Sequence, residues 1–255
     1  MRIELGAQKF AEGSALIEVG DTRVLVAASV ENRVPSFLRD SGRGWVTAEY
    51  SMLPRATHTR SQREVEKGRP SGRTSEIQRL IGRSLRAVID LTAMADRSIT
   101  IDCDVLQADG GTRTAAVTGA YVALAAACAR MFLTGDIAAW PLTAQLAAVS
   151  VGIVGGMPLL DLEFVEDQAA EVDMNVVATA DGRLVEIQGT GEKRSFHRDE
   201  MDRMVDLALG GIERLAAAQT AVLAPTLAEV AEVQARGGKR RQAPPKDERQ
   251  LWGRP

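Results

Sequence analysis

Residues 109–114, which read DGGTRT, combine the residue types that bind an anion through its oxygens. A pair of glycines lets the backbone adopt positive φ angles and approach a ligand closely. If a helix begins after them, its first amide groups point outward at the positive end of the helix dipole. Thr112 adds a hydroxyl, and Arg113 adds a planar guanidinium that matches phosphate oxygens. The motif alone is equally typical of a phosphate site and of a structural turn between a strand and a helix.

A second junction of this kind is SGRTSEIQR at residues 71–79. Ser75 and Gln78 have the spacing of a capping box, which predicts that a helix begins there. Arg73 then stands just ahead of the helix, where it can share an anion with the helix amino terminus. Two such junctions favour one phosphate bound between them. The alternative is a basic loop end on a solvated helix.

Six acidic residues crowd the predicted connection between two strands: Asp161, Glu163, Glu166, Asp167, Glu171 and Asp173. Carboxylates at strand ends can hold Mg²⁺ with water, or one of them can stay protonated as a general acid. Some of the six must be ordinary exposed strand residues. Asp173 is the strongest candidate, because it begins the strand MNVVATA, in which an acid has no packing role.

The charge of the chain is strongly asymmetric. Eleven Lys or Arg residues and five acids lie between residues 39 and 86, a local balance of +6 in a chain whose net charge is -3. A basic stretch nearly devoid of aromatic residues suits contact with a phosphate backbone. The alternative is a charged loop used only for contacts between subunits. Aromatic residues make up 4% of the chain, so stacking on exposed rings is not expected to be a main binding mode.

The composition also excludes several classes of site. With two cysteines in apolar contexts and no CxxC, neither a disulfide framework nor a structural zinc site is expected. With two histidines, no Ser–His–Asp or Cys–His arrangement is evident. The start of the chain lacks the apolar core of a signal peptide, and no run of about 18 apolar residues occurs. A cytoplasmic protein with no membrane partner is therefore expected.

The order of the predicted elements is strands, helix, strand, helix, strands, helix. Period-two patterns and turn residues predict hairpins across Gly20-Asp21 and Asp181-Gly182, and a half-buried strand at 97–106. LLDLEFVE is predicted to be a strand, and an amphipathic helix is predicted over 199–219. Hairpins mixed with crossovers favour an α+β fold with mixed sheets. We expect a domain at 1–224, followed at 225–255 by a short helix and a disordered charged tail that contains Lys239, Arg240 and Arg241.

Several of these strings resemble bacterial ribonuclease PH. They include GWVTAEYSMLPRATHTR, GRTSEIQRLIGRSLRAVIDL, TIDCDVLQADGGTRTAAVTGAYVAL, DLEFVEDQAAEVDMNVV and VEIQGT. The resemblance covers about residues 9–220 in the order of the family. It implies the ribosomal protein S5 domain 2-like fold, with mixed sheets packed against helices, and a hexameric ring of three dimers.

The resemblance implies a phosphorolytic 3′–5′ exoribonuclease that trims the 3′ ends of tRNA precursors, and of rRNA by extension. Inorganic phosphate, the co-substrate, attacks the terminal phosphodiester and releases a nucleoside diphosphate; the reverse reaction adds nucleotides. The phosphate-binding residues then correspond to Arg73, Gly111, Thr112 and Arg113, and the catalytic aspartates to Asp167 and Asp173, with Mg²⁺ as the metal they would hold. RNA contacts are expected from the basic stretch, namely from Arg55, Arg60, Arg63, Arg79 and Arg83.

Three departures from the family and two rival functions remain, and one of the departures is a tail after about residue 225 that is longer than usual in the family. Family members usually begin with an RxDGR-type segment, whereas this sequence starts with MRIELGAQKF, and Ser71 stands where the family has a glycine. One rival is a non-catalytic ring subunit of the exosome kind, which is expected to lose phosphate-site or acidic residues that this chain keeps. The other is a hydrolytic nuclease, which would need a denser set of metal ligands.

Overall fold

The computed structural model describes residues 1–94 and 96–237 of the chain. The first part contains a five-stranded sheet in the order β1-β2-β3-β5-β4. Its strands are β1 (Arg2–Leu5), β2 (Gly13–Val19), β3 (Thr22–Glu31), β4 (Trp45–Met52) and β5 (Ser98–Gln107). All neighbours pair antiparallel except β4 and β5, which are parallel. The mixed sheet follows from the helix that connects β4 to β5, because a parallel pair needs a crossover connection.

The second sheet has four antiparallel strands in the order β7-β6-β8-β9. They are β6 (Leu146–Val154), β7 (Met157–Leu160), β8 (Val172–Thr179) and β9 (Leu184–Gly191). The hairpins predicted at Gly20-Asp21 and Asp181-Gly182 both form, as β2–β3 and β8–β9. The α+β class predicted from the element order is therefore confirmed.

Four α-helices pack against the sheets: α1 (Gly72–Arg86), α2 (Thr112–Thr134), α3 (Phe164–Ala169) and α4 (Arg198–Ala235). Helix α2 is the centre of the molecule, because it contacts both sheets as well as α1 and α4. Its many alanines allow this close approach, and most of its side chains are fully buried. By length and composition alone, α2 and α4 could each cross a membrane, but 83% of the apolar window of α2 is buried against the rest of the protein, as in a core helix.

The alternation of β5 sets the face that builds the first core. Ile99, Ile101, Cys103 and Val105 are at most 1% exposed, as the period-two pattern predicts. Cys128 is buried in α2, and both thiols are free. Burial raises the pKa of each thiol, which keeps it protonated. The two cysteines therefore act as small apolar core residues.

The N-cap of helix α1 lies four residues before the predicted one. Its N-cap is Ser71, whose hydroxyl accepts a hydrogen bond of 3.1 Å from the amide of Thr74. The spacing of Ser75 and Gln78 was therefore the wrong signal, since Ser75 lies inside the first turn of the helix. Ser71, which replaces a family glycine, supplies the hydroxyl that caps it.

The predicted strand LLDLEFVE is wrong beyond Leu160. Asp161 has a φ of 62°, in the left-handed region that ends β7. Three residues later α3 begins, with Glu163 and Glu166 forming a reciprocal capping box. Two acids at the start of a short helix explain why this apolar and acidic string does not continue as a strand.

The boundary predicted at 224/225 falls inside α4. The helix runs to Ala235 through Pro225, which costs about 3 kcal/mol in a helix interior because it lacks an amide hydrogen. Leu223 and Val230 are 1% and 3% exposed and pack into the first core, and burying each such side chain contributes about 1.5–3 kcal/mol. Residues 225–235 are thus part of the folded unit, whereas the basic run at 239–241 and the rest of the predicted tail lie outside the described residues.

Candidate active site

A cavity of about 810 Å³ is lined by segments that belong to both sheets. It brings together all six residues predicted to bind phosphate or to act in catalysis: Arg73, Gly111, Thr112, Arg113, Asp167 and Asp173. They come from the amino ends of α1 and α2, from α3 and from β8. Residues distant in the sequence thus meet in one place, which favours a site over isolated turns.

The glycine pair forms the turn between β5 and α2. Gly110 and Gly111 have φ angles of 75° and 54°, and Gly111 is the N-cap of α2. A Cβ atom on Gly110 would collide with the carbonyl oxygen of Leu162, so the close approach requires glycine. The hydroxyl of Thr22 fixes the turn, because it accepts from the Asp109 amide at 2.8 Å and donates to the Gly110 carbonyl at 2.7 Å. The first amides of α2 are thereby presented at the cavity wall.

Thr112, the first residue of α2, is held by a tyrosine that the sequence did not indicate. The hydroxyl of Tyr50 on β4 donates a hydrogen bond of 2.9 Å to Oγ1 of Thr112. Tyr50 is 3% exposed, and burial raises the pKa of its phenol, so it stays a donor. Because this bond uses a lone pair of Thr112, the hydroxyl hydrogen of Thr112 is free for a ligand.

Arg113 is oriented by two partners on different elements. Its Nη1 lies 3.4 Å from Oε2 of Glu76 on α1 and 3.2 Å from Oε1 of Gln188 on β9. Gln188 in turn donates to Glu186 at 3.0 Å, and Glu186 forms an ion pair of 2.6 Å with Arg83. A continuous chain of side chains therefore fixes the guanidinium that lines the cavity.

Arg73 lies in the first turn of α1 and not ahead of it. It is exposed, and it forms no salt bridge with any other residue of the described ranges. Next to it, the carboxylate of Glu64 accepts from the amide of Ser71 at 3.2 Å and from the hydroxyl of Thr74 at 2.8 Å. The loop before α1 is thus tied to the helix start, while the Arg73 guanidinium stays available to an anion.

Asp173 is the second residue of β8 and is half-buried beside the arginines. Burial is the main reason why the pKa of Asp173 is raised to about 6. The negative charges of Asp167 and Glu192 act in the same direction, and the positive charges of Arg113 and Arg73 oppose them. The sequence pattern gives no indication that Glu192 belongs to this site. The β8–β9 hairpin register, which pairs Asp173 with Thr190, is the signal that would have placed it here.

The five arginines predicted to contact RNA do not line the cavity. Arg60, Arg63 and Arg79 are exposed. Arg55 donates to the carbonyl oxygen of His58 at 2.9 Å, and Arg83 is paired with Glu186. Two of the five thus have structural partners, and the assignment of all five to RNA stays a prediction.

A metal at this site would depend on few protein ligands. Within the described part of the chain, no three His, Cys, Asp or Glu side chains cluster closely enough to hold a metal ion by themselves. Asp167 and Asp173 face the same cavity. Mg²⁺ is commonly held by one or two carboxylates together with substrate phosphates and water, so this pair fits it.

Known proteins match the chain over most of its length. Residues 1–129 match domain 1 of the 3′ exoribonuclease family, and residues 144–211 match domain 2. A curated ribonuclease PH of Syntrophomonas wolfei subsp. wolfei (strain DSM 2245B / Goettingen) is 58% identical over 223 residues, which are 88% of this chain and 93% of that protein. The resemblance found in the sequence motifs is therefore confirmed.

Solved structures with the same fold are more distant in sequence. Rice (Oryza sativa) Rrp46 has a TM-score of 0.70 and 17% identity over 87% of this chain and 93% of that one. The Archaeoglobus fulgidus exosome with RNA bound to the active site has a TM-score of 0.71 and 24% identity, over 84% and 85% of the two chains. These likenesses confirm the predicted fold, and the sequence matches show that the chain belongs to the 3′ exoribonuclease family of the ribonuclease PH type.

Proposed function

We propose that the cavity between the amino ends of α1 and α2 carries the phosphorolytic 3′–5′ exoribonuclease activity of this chain. The observation that supports it best is the convergence of two arginines and a helix amino terminus with two aspartates in one cavity. An anion site beside carboxylates suits a reaction whose nucleophile is itself an anion. The substrates proposed are the 3′ ends of tRNA precursors and of rRNA in the cytoplasm.

The attacking phosphate binds at the positive end of the site. Arg73 and Arg113 provide the guanidinium groups, and the amides and hydroxyl of residues 111–112 provide the remaining donors. Arg113 shares its guanidinium with Glu76 and Gln188, so its position is set before phosphate arrives. This preorganisation lowers the entropy cost of bringing two negative phosphates together.

The chemical step is an in-line displacement at the terminal phosphodiester. An oxygen of inorganic phosphate forms a bond to the phosphorus, and the bond from that phosphorus to the 3′-oxygen of the preceding nucleotide breaks. The products are a nucleoside diphosphate and an RNA shortened by one nucleotide, whose 3′-oxygen takes up a proton. The reverse reaction adds a nucleotide from a nucleoside diphosphate.

Asp173 acts at the leaving 3′-oxygen, with Asp167 beside it. Its carboxyl either donates the proton or helps to hold Mg²⁺; the raised pKa suits the first role, and the pairing with Asp167 suits the second. When bound, Mg²⁺ would neutralise negative charge on the phosphate oxygens. Arg113 and Arg73 lie close enough to lower the pKa of Asp173 by their positive charge, so a phosphate bound to them lies near this carboxyl group in both cases.

RNA reaches the site over the basic stretch between residues 39 and 86. Its exposed arginines, Arg60, Arg63 and Arg79 above all, contact phosphates of the strand behind the terminal nucleotide. The assembly proposed is a homo-hexamer built as a trimer of dimers, in line with the family. Its mass in solution, measured by light scattering, tests this part of the proposal.

One assay tests the activity itself. RNA with a 3′-hydroxyl is incubated with and without inorganic phosphate, and the released nucleotides are separated. Nucleoside diphosphate that forms only with phosphate is the expected product. Nucleoside monophosphate formed without phosphate would indicate a hydrolytic nuclease instead. Absence of any product would favour the second candidate, a non-catalytic exosome-type ring subunit that binds RNA, although this chain retains both arginines and both aspartates.

A further inference from the structure

Two rings from separate segments stand together in the wall of the cavity. His58 follows β4, and Phe164 is the first residue of α3. Their ring centroids are 6.0 Å apart, and the ring planes meet at 54°. Both residues line the cavity that contains the arginines and the aspartates. An aromatic wall therefore lies in the same cavity as the charged residues.

Phe164 is not part of the hydrophobic core. Its side chain is 38% exposed, and it belongs to neither of the hydrophobic clusters formed by the described residues. An exposed ring beside charged residues gains free energy when a ligand covers it, since about 25 cal/mol is recovered per Å² of apolar surface. The ring is thus available to a flat, partly apolar group.

Phe164 and Asp167 lie three residues apart in α3 and line the same cavity. Residues with this spacing share a helix face. A nucleotide whose phosphate is held by Arg73 and Arg113 beside Asp167 can therefore extend along α3 toward the ring. The volume of about 810 Å³ far exceeds what a phosphate ion needs and lies within the range of about 300–1,000 Å³ that is usual for ligand pockets.

Hydrogen bonds tie the backbone around both rings to neighbouring segments, among them residues 108 and 109 just before the glycine turn. The amide of Ala108 donates to the carbonyl of Ala56 at 2.9 Å, next to the His58 loop. The amide of Phe164 lies 3.4 Å from Oδ1 of Asp109. Arg55 adds a hydrogen bond of 2.9 Å to the carbonyl oxygen of His58. The backbone of both residues is therefore anchored beside the glycine turn, while the ring side chains can still rotate.

We propose that Phe164 and His58 form the subsite for the nucleobase of the 3′-terminal nucleotide, a reading that rests on the proposed function. Every base has a π-face, so stacking accepts all four bases and suits an enzyme that removes nucleotides in succession. Two carbon layers at optimal contact need a ring separation of about 7 Å. A turn of the two side chains from 6.0 Å and 54° would open that space, and the partial exposure of Phe164 leaves room for it.

The test compares short RNAs that end in a normal nucleotide or in an abasic ribose. Dissociation constants are measured without phosphate, so that binding is separated from turnover. The proteins are wild type, Phe164→Ala, Phe164→Tyr, His58→Ala and Val165→Ala. Val165 is the matched control, because it is the next residue of α3, is 67% exposed and does not line the cavity.

Wild type should bind the RNA with a terminal base about five- to 150-fold more tightly than the abasic RNA, the range for stacking of one base on an aromatic side chain. Phe164→Ala should lose most of this preference, His58→Ala part of it, and Phe164→Tyr and Val165→Ala none. The KM for phosphate should not change in Phe164→Ala. If wild type binds both RNAs equally, or if Phe164→Ala and His58→Ala both keep the full preference, the inference is wrong.

The two proposals fail in different ways. Release of nucleoside diphosphate by the wild-type protein reports on phosphorolysis and does not depend on the base preference. If the wild-type protein releases no nucleoside diphosphate but still prefers RNA with a terminal base, the proposed function is wrong. The aromatic subsite would then stand as an RNA-binding feature. Normal phosphorolysis without a base preference would overturn the subsite alone.

Discussion

The buried hydroxyl of Tyr50 donates a hydrogen bond of 2.9 Å to the hydroxyl of Thr112, across 62 residues of sequence. The bond links β4 of the first sheet to the first residue of α2, at the point where the amides of that helix face the cavity. Thr112 is 7% exposed, so its hydroxyl has few alternative partners. The core of the first sheet thus sets the direction of a donor in the proposed phosphate site.

We expect Tyr50→Phe to raise the KM for phosphate by about two- to twelve-fold, the range for one net hydrogen bond. The dissociation constant for RNA should stay unchanged, because the buried Tyr50 hydroxyl contacts Thr112 and does not contact the RNA. Steady-state kinetics at varied phosphate measure the effect. Tyr121→Phe is the matched control, since Tyr121 is the other tyrosine of the chain, is equally buried and lies outside the cavity. An equal rise in both variants would mean that Tyr50 acts through stability alone.

Arg73→Ala should mainly raise the KM for phosphate, by about 10- to 150-fold if the lost contacts are charge-assisted hydrogen bonds. Phosphate saturation curves are compared with RNA binding measured in the absence of phosphate. Arg203→Ala provides the control for removing an exposed arginine, because it lies on α4 and pairs with Asp199. Unchanged phosphate saturation together with a collapse of RNA binding would move Arg73 from the phosphate site to the RNA path.

Asp173→Asn should lower single-turnover phosphorolysis by about 10²- to 10⁴-fold, while RNA stays bound. The amide keeps the shape of the carboxyl group but neither carries its charge nor donates an acidic proton. A Mg²⁺ titration of the residual activity separates the two roles, since only loss of a metal ligand shifts the Mg²⁺ requirement. Asp181→Asn, in the exposed β8–β9 turn, is the control. Near-normal turnover would remove Asp173 from the mechanism.

The sequence indicates the residues that meet in the cavity, but it misassigns some of the elements that hold them. Gly110, Gly111 and Arg113 are evident because a turn with positive φ angles and a helix start are local features. Tyr50 and Gln188 are not evident, because a tyrosine in a strand or a glutamine in a hairpin acquires its role only when another element packs against it. Local patterns specify the turn, whereas tertiary contacts specify the orientation of its donors.

The same physical distinction explains the misassigned elements. Ser71 and Ser75 are both acceptable caps by type, and only the hydrogen bond to the Thr74 amide decides between them. Proline usually ends a helix, but α4 continues beyond Pro225 because Leu223 and Val230 on either side of it are buried. Each error arose where packing or a hydrogen-bond partner decides between two patterns of similar propensity.

Arg83 should contribute less to RNA binding than Arg60 or Arg63. Its guanidinium forms two hydrogen bonds with the carboxylate of Glu186, at 2.6 Å and 3.1 Å. We expect Arg60→Ala and Arg63→Ala each to weaken RNA binding and to reduce the salt dependence of binding by about one unit of slope. Arg83→Ala should leave both unchanged and lower the free energy of unfolding by about 0–1 kcal/mol, as for other partly exposed ion pairs.

The measurement is RNA affinity at several salt concentrations, together with urea unfolding of each variant. If Arg83→Ala reduces the salt dependence of RNA binding as much as Arg60→Ala and Arg63→Ala do, RNA must displace Glu186 from Arg83. Glu186→Gln is the companion variant, since it frees the guanidinium without removing it. It should raise RNA affinity if Arg83 can reach the strand once it is released.

The stability of the protein should fall in acid partly through Glu200. Arg194 bonds this carboxylate at 2.7 Å and lowers the pKa of Glu200 to about 2, from an ordinary value of 4.5. Between these two values the unfolded chain binds a proton at Glu200 that the folded chain does not, so stability decreases as the pH falls. The contribution is fully present above about pH 4.5 and disappears below about pH 2.

Urea unfolding measured at pH 5 and at pH 3 should therefore show a larger loss in the free energy of unfolding for wild type than for Glu200→Gln. Glu213→Gln, on an exposed turn of the same helix, should behave like wild type, and an equal loss in Glu200→Gln would contradict the role of the Arg194 pair.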